Sequence, residues 1–183
     1  AIHRQYQVRA AEKNLAFDCI IQIPDEEAFV ETDLSKLVTI VTNLLNNAFK
    51  FTHEGSVELG CIKEGDFLRF RVSDTGIGIP EDSQGRIFER FYQVEHTASR
   101  SYEGAGLGLS ISRAYVEFLG GTIRFTSKPG EGSVFEFTIP CTPVTGKDYE
   151  PGIRLTGRRD APVFSRTLKI DNEEHVSDRR IVI

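Results

Sequence analysis

The 183-residue sequence has no methionine, no tryptophan and only three cysteines. Cys19, Cys61 and Cys141 lie far apart without metal-ligand spacing, and their odd number fits reduced intracellular thiols better than a disulfide scaffold, so zinc is not expected either. No apolar run approaches the ~18 residues of a membrane span and no signal-peptide pattern is present. This stretch is therefore expected to be cytoplasmic, without direct membrane contact. Basic blocks are absent too: 22 Lys and Arg against 27 Asp and Glu leave a net charge of -5, which argues against nucleic acid as a partner and confines any polyanion site to a local patch. Without methionine and with alanine at position 1, the chain reads as part of a longer protein, whose parent could be membrane-anchored.

What is present suits one globular domain of about 100–150 residues with an appendage, since 39% of the residues are hydrophobic. Residues 1–14 are polar and read as the end of a preceding helical segment or a linker. FDCIIQI, residues 17–23, is strand-like and ended by Pro24, and the acidic DEE after it is a turn. From Asp33, a plausible N-cap, Leu34, Leu37, Val38, Val41, Leu44, Leu45 and Ala48 recur at helical spacing, which predicts an amphipathic helix over residues 34–50.

That helix carries a feature its fold does not need. NLLNNAFKFT, residues 43–52, contains three asparagines, each costing roughly 0.5–0.7 kcal/mol against alanine in a helix interior. At about 100° per residue, Asn43, Asn47 and Lys50 fall within roughly 60° of one another, away from the apolar stripe. A merely solvated face would usually carry glutamate and lysine. Two amides and an ammonium at i, i+4 and i+7 suit a magnesium ion and the phosphates it neutralises. Asn46 falls outside this pattern and reads as incidental.

Residues 56–62 and 67–73 form a predicted hairpin through Glu64-Gly65-Asp66. Alternation in LRFRVSD puts Asp74 on the same face as Leu68, Phe70 and Val72, so its carboxylate should point to the covered side, where it needs hydrogen-bond donors. Thr75-Gly76-Ile77-Gly78-Ile79-Pro80 follows, with two glycines that permit unusual backbone angles or close approach by a flat ligand, and Ile77 and Ile79 as apolar walls. A purine amine is a candidate partner for Asp74; an ordinary capped turn is the plainer reading. FERF, residues 88–91, leads into a polar stretch at 92–103 long enough to be a mobile lid or a plain surface loop. EGAGLGL then opens a helix whose apolar positions Leu107, Ile111, Ala114, Tyr115 and Phe118 keep helical spacing up to Gly120-Gly121. The glycine spacing is neither that of a dinucleotide fold nor that of a P-loop, but it would expose N–H groups to phosphate. Strands at 122–126 and 134–139 close the pattern.

NLLNNAFKFT, DTGIGIP, FERF and GAGLGLSIS stand in an order that resembles the N, G1, F and G2 boxes of the catalytic, ATP-binding (HATPase) domain of sensor histidine kinases, in the gyrase-like GHKL superfamily. The resemblance covers about residues 15–140. It implies an α/β, two-layer sandwich with a mixed sheet of about five strands on about three helices, and a flexible ATP lid. It further implies that Asn47 holds Mg2+, that Asn43 and Lys50 lie near the metal and phosphates, and that Asp74 binds the adenine amine in a pocket shaped by Gly76, Ile77, Gly78 and Ile79. Phe51 would pack near the base. Arg90, beside Phe91, would reach the phosphates, and Gly104, Ala105, Gly106, Leu107, Gly108 and Leu109 would form the cradle. Ala105 departs from the threonine or serine often found there, which removes a hydroxyl contact and keeps the backbone donors.

The implied activity is transfer of the γ-phosphate of Mg-ATP to a histidine on a dimerisation hairpin absent from this chain, with a response regulator or receiver domain as the onward partner. His3, His53, His96 and His175 lack the family's H-E-x-x-Thr/Asn-Pro setting, so the chain alone should be monomeric and nearly silent. ATP-hydrolysing relatives carry a glutamate where Asn43 stands, which favours transfer over hydrolysis; a non-catalytic nucleotide-binding module remains the other alternative. Residues 141–183 read as a linker or extension, with strand-like residues 167–170 and 179–183. The last of these is either the opening strand of a receiver domain or an edge strand on the main sheet.

Overall fold

The computed structural model describes residues 2–23, 29–94, 105–141 and 180–182. Its elements run α1 (Ile2–Lys13), β1 (Ala16–Gln22), β2 (Phe29–Glu31), α2 (Leu34–Phe51), β3 (Ser56–Glu64), β4 (Phe67–Asp74), α3 (Glu81–Gln84), α4 (Gly108–Phe118), β5 (Ile123–Lys128), β6 (Gly132–Pro140) and β7 (Arg180–Val182). The main sheet has the order β1-β3-β4-β6-β5. β1 pairs with β3 in parallel and every other neighbouring pair is antiparallel, giving a mixed five-stranded sheet.

Alternation decides which face is covered. Val57, Leu59 and Cys61 of β3, Leu68, Phe70 and Val72 of β4, and Phe135, Phe137 and Ile139 of β6 are all buried on one side. Phe70 and Phe137 are paired in register and stack with centroids 4.7 Å apart. The other side carries charge, including Arg71–Glu58 and Arg124–Glu136 ion pairs, each at 2.9 Å. The helices lie over the apolar face, so the molecule is a two-layer α/β sandwich.

α2 is the central element of the helical layer. Asp33 caps it, accepting the Lys36 N–H at 3.1 Å, and Leu37, Ile40, Val41, Leu44, Leu45, Ala48 and Phe49 are buried. α1 occupies residues that read in the sequence as the end of a preceding helical segment or a linker, and its Ile2, Tyr6 and Ala10 join the same core cluster. Tyr6, Phe17 and Phe49 form an aromatic group with centroids 5.3–6.2 Å apart.

In α4 the apolar positions at helical spacing divide: Tyr115 packs on the core and Leu107 is half-buried, but the rest are exposed. Ser112 and Val116 are fully buried, whereas Ile111, Ala114 and Phe118 are exposed. The helix is turned so that Ser112 faces α2, and the Lys36 ammonium covers the Phe118 ring at 4.7 Å. β7 joins neither edge of the main sheet; it pairs antiparallel with β2, a strand the local pattern did not announce. The DEE turn, residues 167–170 and most of the proposed lid fall outside the described residues. No helix among the described residues is long and apolar enough to cross a membrane. None of the three cysteines is in a disulfide, and burial pushes Cys19 up to about 11 and Cys61 well above its ordinary value, so both stay protonated.

Candidate functional site

Asp74 ends β4 between β3 and β6, opposite Val57 and Ser133. Its parity matches Leu68, Phe70 and Val72, and it is half-buried. Its Oδ1 accepts the Gly76 N–H at 2.9 Å, and the Ser133 N–H also donates to the carboxylate. Burial raises its pKa above the ordinary 3.8, while these two donors pull it back down. A carboxylate has about four acceptor positions, so this one is oriented by backbone and retains capacity for a ligand's donor. Gly132 reads in the sequence as the end of a turn and Ser133 carries no local signal; only the β4–β6 pairing brings them to Asp74.

The loop after Asp74 is tied to the protein at nearly every residue. The Thr75 N–H donates to Ser56 O at 3.1 Å, the Ile77 N–H to Phe51 O at 3.2 Å, the Ile79 N–H to Ser127 Oγ at 2.8 Å, and the Gly130 N–H to Ile77 O at 2.8 Å. Its glycines answer to that packing. A Cβ on Gly76 would lie 2.4 Å from Phe51 O, and one on Gly78, whose φ is +66°, would lie 2.1 Å from Lys128 O. The close approach foreseen for a flat ligand is here made by the chain's own backbone. Ile79 packs against the core and Ile77 is half-buried. The bond to Phe51 O brings the C-terminal end of α2 against this loop, and Lys50 Nζ lies 5.1 Å from the Phe51 ring.

Along the same helix, Asn43, Asn47 and Lys50 are all half-buried, so their shared face is partly covered. Asn43 Nδ2 donates to Gly108 O at 3.1 Å and to Ser112 Oγ at 3.3 Å, while the Ser112 hydroxyl donates to the same carbonyl at 2.9 Å. This asparagine therefore joins α2 to the glycine loop and the first turn of α4. Leu107 stands at the N-cap of α4 without a side-chain cap, so the first-turn N–H groups suit an anion. The Phe91 N–H donates to Gly106 O at 3.0 Å, which stitches the FERF segment to the glycine loop; Phe91 and Arg90 are exposed. Ala105 is exposed, Leu107 is half-buried and Leu109 packs on the core, while Gly104 lies outside the described residues.

Asn46 is not incidental. Its Oδ1 accepts from the Tyr6 hydroxyl at 2.9 Å and from Arg9 Nη1 at 2.6 Å. Spacing within α2 could not reveal this, because both partners come from α1.

Among the described residues no group of three or more His, Cys, Asp or Glu could hold a metal. A magnesium ion held by one amide oxygen and by phosphates needs no such cage, because Mg2+ takes hard oxygen donors and keeps several non-protein ligands.

A mixed sheet covered on one face by helices, with four ordered motifs gathered along the C-terminal half of α2, defines an ATPase-type sandwich of the histidine-kinase kind. The family model for "Histidine kinase-, DNA gyrase B-, and HSP90-like ATPase" matches residues 32–143. The chain belongs to that family. It is 42% identical over 175 residues to the autoinducer 2 sensor kinase/phosphatase LuxQ of Vibrio cholerae, covering 93% of this chain and 20% of LuxQ. It is 38% identical over 161 residues to the sensor histidine kinase RcsC of Escherichia coli, covering 86% of this chain and 16% of RcsC. Full-length ShkA, solved with AMPPNP, is similar in structure, with a TM-score of 0.67 and 31% identity over 78% of this chain and 29% of ShkA. The chain thus spans about a fifth of the curated relatives it matches.

Proposed function

We propose that this chain binds Mg-ATP and donates the γ-phosphate to a histidine on a dimerisation hairpin of the same parent protein, as the catalytic domain of a two-component sensor kinase. The observation that carries the reading is Asp74: a half-buried carboxylate, oriented by two backbone N–H groups beside the Phe51 end of α2, as recognition of a purine amine requires. The AMPPNP bound to ShkA supports the same ligand class.

Each end of the nucleotide has its own partners. Asp74 accepts the amine, Gly76 and Gly78 keep the loop tight, and Phe51 packs by the base. Asn47 and Lys50, on the half-buried face of α2, would hold Mg2+ and the phosphates, with the first turn of α4 and Arg90 contributing further positive potential. Mg2+ supplies charge neutralisation across the phosphate oxygens, and the protein's share is positioning for in-line attack by the histidine.

Asn43 separates transfer from hydrolysis. Its amide donates to the Gly108 carbonyl, and a glutamate there could only accept, facing an oxygen it repels. The residue that would activate water in hydrolysing relatives thus has no counterpart at this position. The onward acceptor is a response regulator or receiver domain, recognised by the parent as a whole.

Two measurements test the reading. Mg-ATP should raise the melting temperature of the wild type and leave Asp74→Ala unmoved; no shift for the wild type sinks nucleotide binding. Mixing the chain with the parent's helical hairpin and labelled ATP should yield acid-labile, base-stable phosphohistidine. Binding without phosphohistidine would instead support a module that signals by contact.

A further inference from the structure

Four hydrogen bonds that α1 makes to α2 follow a pattern. The Tyr6 hydroxyl donates to Asn46 Oδ1 at 2.9 Å, with Thr42 O as a second acceptor at 3.3 Å. Arg9 Nη1 donates to the same Asn46 oxygen at 2.6 Å, and Lys13 Nζ donates to Phe49 O at 2.5 Å. The residues touched are Thr42, Asn46 and Phe49. Each immediately precedes one of Asn43, Asn47 and Lys50, so α1 grips the stripe of α2 about 100° around the helix from the proposed metal and phosphate face.

The grip is anchored at Tyr6, while Asn46 itself is exposed. Tyr6 is 1% exposed, so its hydroxyl depends on these acceptors, and its ring is clamped between Phe17 and Phe49. The Arg9 guanidinium lies 5.6 Å from the Phe49 ring and 6.0 Å from that of Tyr6, which directs it onto Asn46. Core burial of Leu44, Leu45 and Ala48 fixes which face of α2 points inward, and polar contacts on its flank trim its rotation about its own axis. An error in that rotation moves Asn47 and Lys50 sideways and leaves Asp74, held by strands, where it is.

We propose that Tyr6, Arg9 and Asn46 are positioning residues for the magnesium–phosphate end of the site: α1 sets the rotation of α2 and thereby the placement of Asn47 and Lys50. The inference rests on the Mg-ATP reading above. It assigns a role to an N-terminal helix outside the family match and to an asparagine that the motif pattern leaves unused.

The test is the affinity of the chain for ATP with Mg2+ and with EDTA, measured by calorimetry for wild type, Tyr6→Phe and Asn46→Ala at a temperature where each is folded. Tyr6→Phe keeps the ring and its packing. Both variants should bind Mg-ATP about three- to tenfold more weakly, and metal-free ATP, which loses only the share that Lys50 gives to the phosphates, by a smaller factor. Equal weakening of both forms would mean general loosening and overturn the proposal, as would no weakening of either. A wild type that binds neither form would sink the Mg-ATP reading itself, so the two failures are distinguishable.

Discussion

The two ends of the proposed nucleotide site are built from different materials. Asp74 at the base end sits between two strands, its N–H partners come from the backbone, and its loop is tied down by successive hydrogen bonds. At the phosphate end the proposed metal-facing groups are side chains on one helix, which is tied to two others: Asn43 reaches Gly108 and Ser112 of α4, and Tyr6 and Arg9 reach from α1 to Asn46. Backbone-built recognition has one geometry, because strands and tight turns cannot shift without losing their ladder. Recognition carried on a helix face can be adjusted by rotating or sliding the helix, which suits a catalytic end that must form and release.

The contrast can be broken first through its glycines. Gly76→Ala and Gly78→Ala push a methyl group against backbone oxygens 2.4 and 2.1 Å away, so each should destabilise the fold by about 3 kcal/mol in chemical denaturation and erase nucleotide binding with it. Gly108→Ala meets only the Asn43 side chain, at 3.8–4.0 Å, so its stability should stay within about 1 kcal/mol of wild type. Equal losses at the three positions would erase the distinction.

The next largest effect concerns the metal. Asn47→Ala should weaken Mg-ATP by about tenfold while leaving metal-free ATP and the melting temperature of the free protein nearly unchanged. An equal loss without metal would put Asn47 at the base end instead.

The smallest effect is on pH. Asp74 has a raised pKa in the folded chain, so the fold favours its protonated form; that contribution to stability is present below the unfolded value near 3.8 and is lost as pH rises through the higher folded value. At neutral pH the carboxylate therefore works against stability, and it is the ionised form that accepts a ligand's amine. Nucleotide affinity should fall on acidification with a midpoint above 3.8, and Asp74→Asn should flatten that profile. A midpoint at or below 3.8 would mean that burial does not govern this group.

Much of the fold was readable because period and parity report local geometry. The α2 stripe, the Asp33 cap and the alternation placing Asp74 with Leu68, Phe70 and Val72 all depend on neighbours in the chain. What escaped depends on partners far away. Ser133 reaches Asp74 only through strand pairing, Ser112 faces α2 while part of α4's own apolar stripe is exposed, and Asn46 is explained by α1. The two glycines after Asp74 stood out at once, but whether they make room for a ligand or for the chain itself is decided by Phe51 O and Lys128 O, which no local window contains.

The Ser133 N–H that orients Asp74 arrives from a strand 59 residues further along the chain (133 less 74). The acceptor for the base is therefore finished only when β6 has inserted between β4 and β5, one of the most non-local steps available to this chain. A ligand that reads Asp74 discriminates between molecules with β6 in place and those without it, so ATP would act as a check on the chain's own maturation, stabilising those in which the β4–β6 pairing is made.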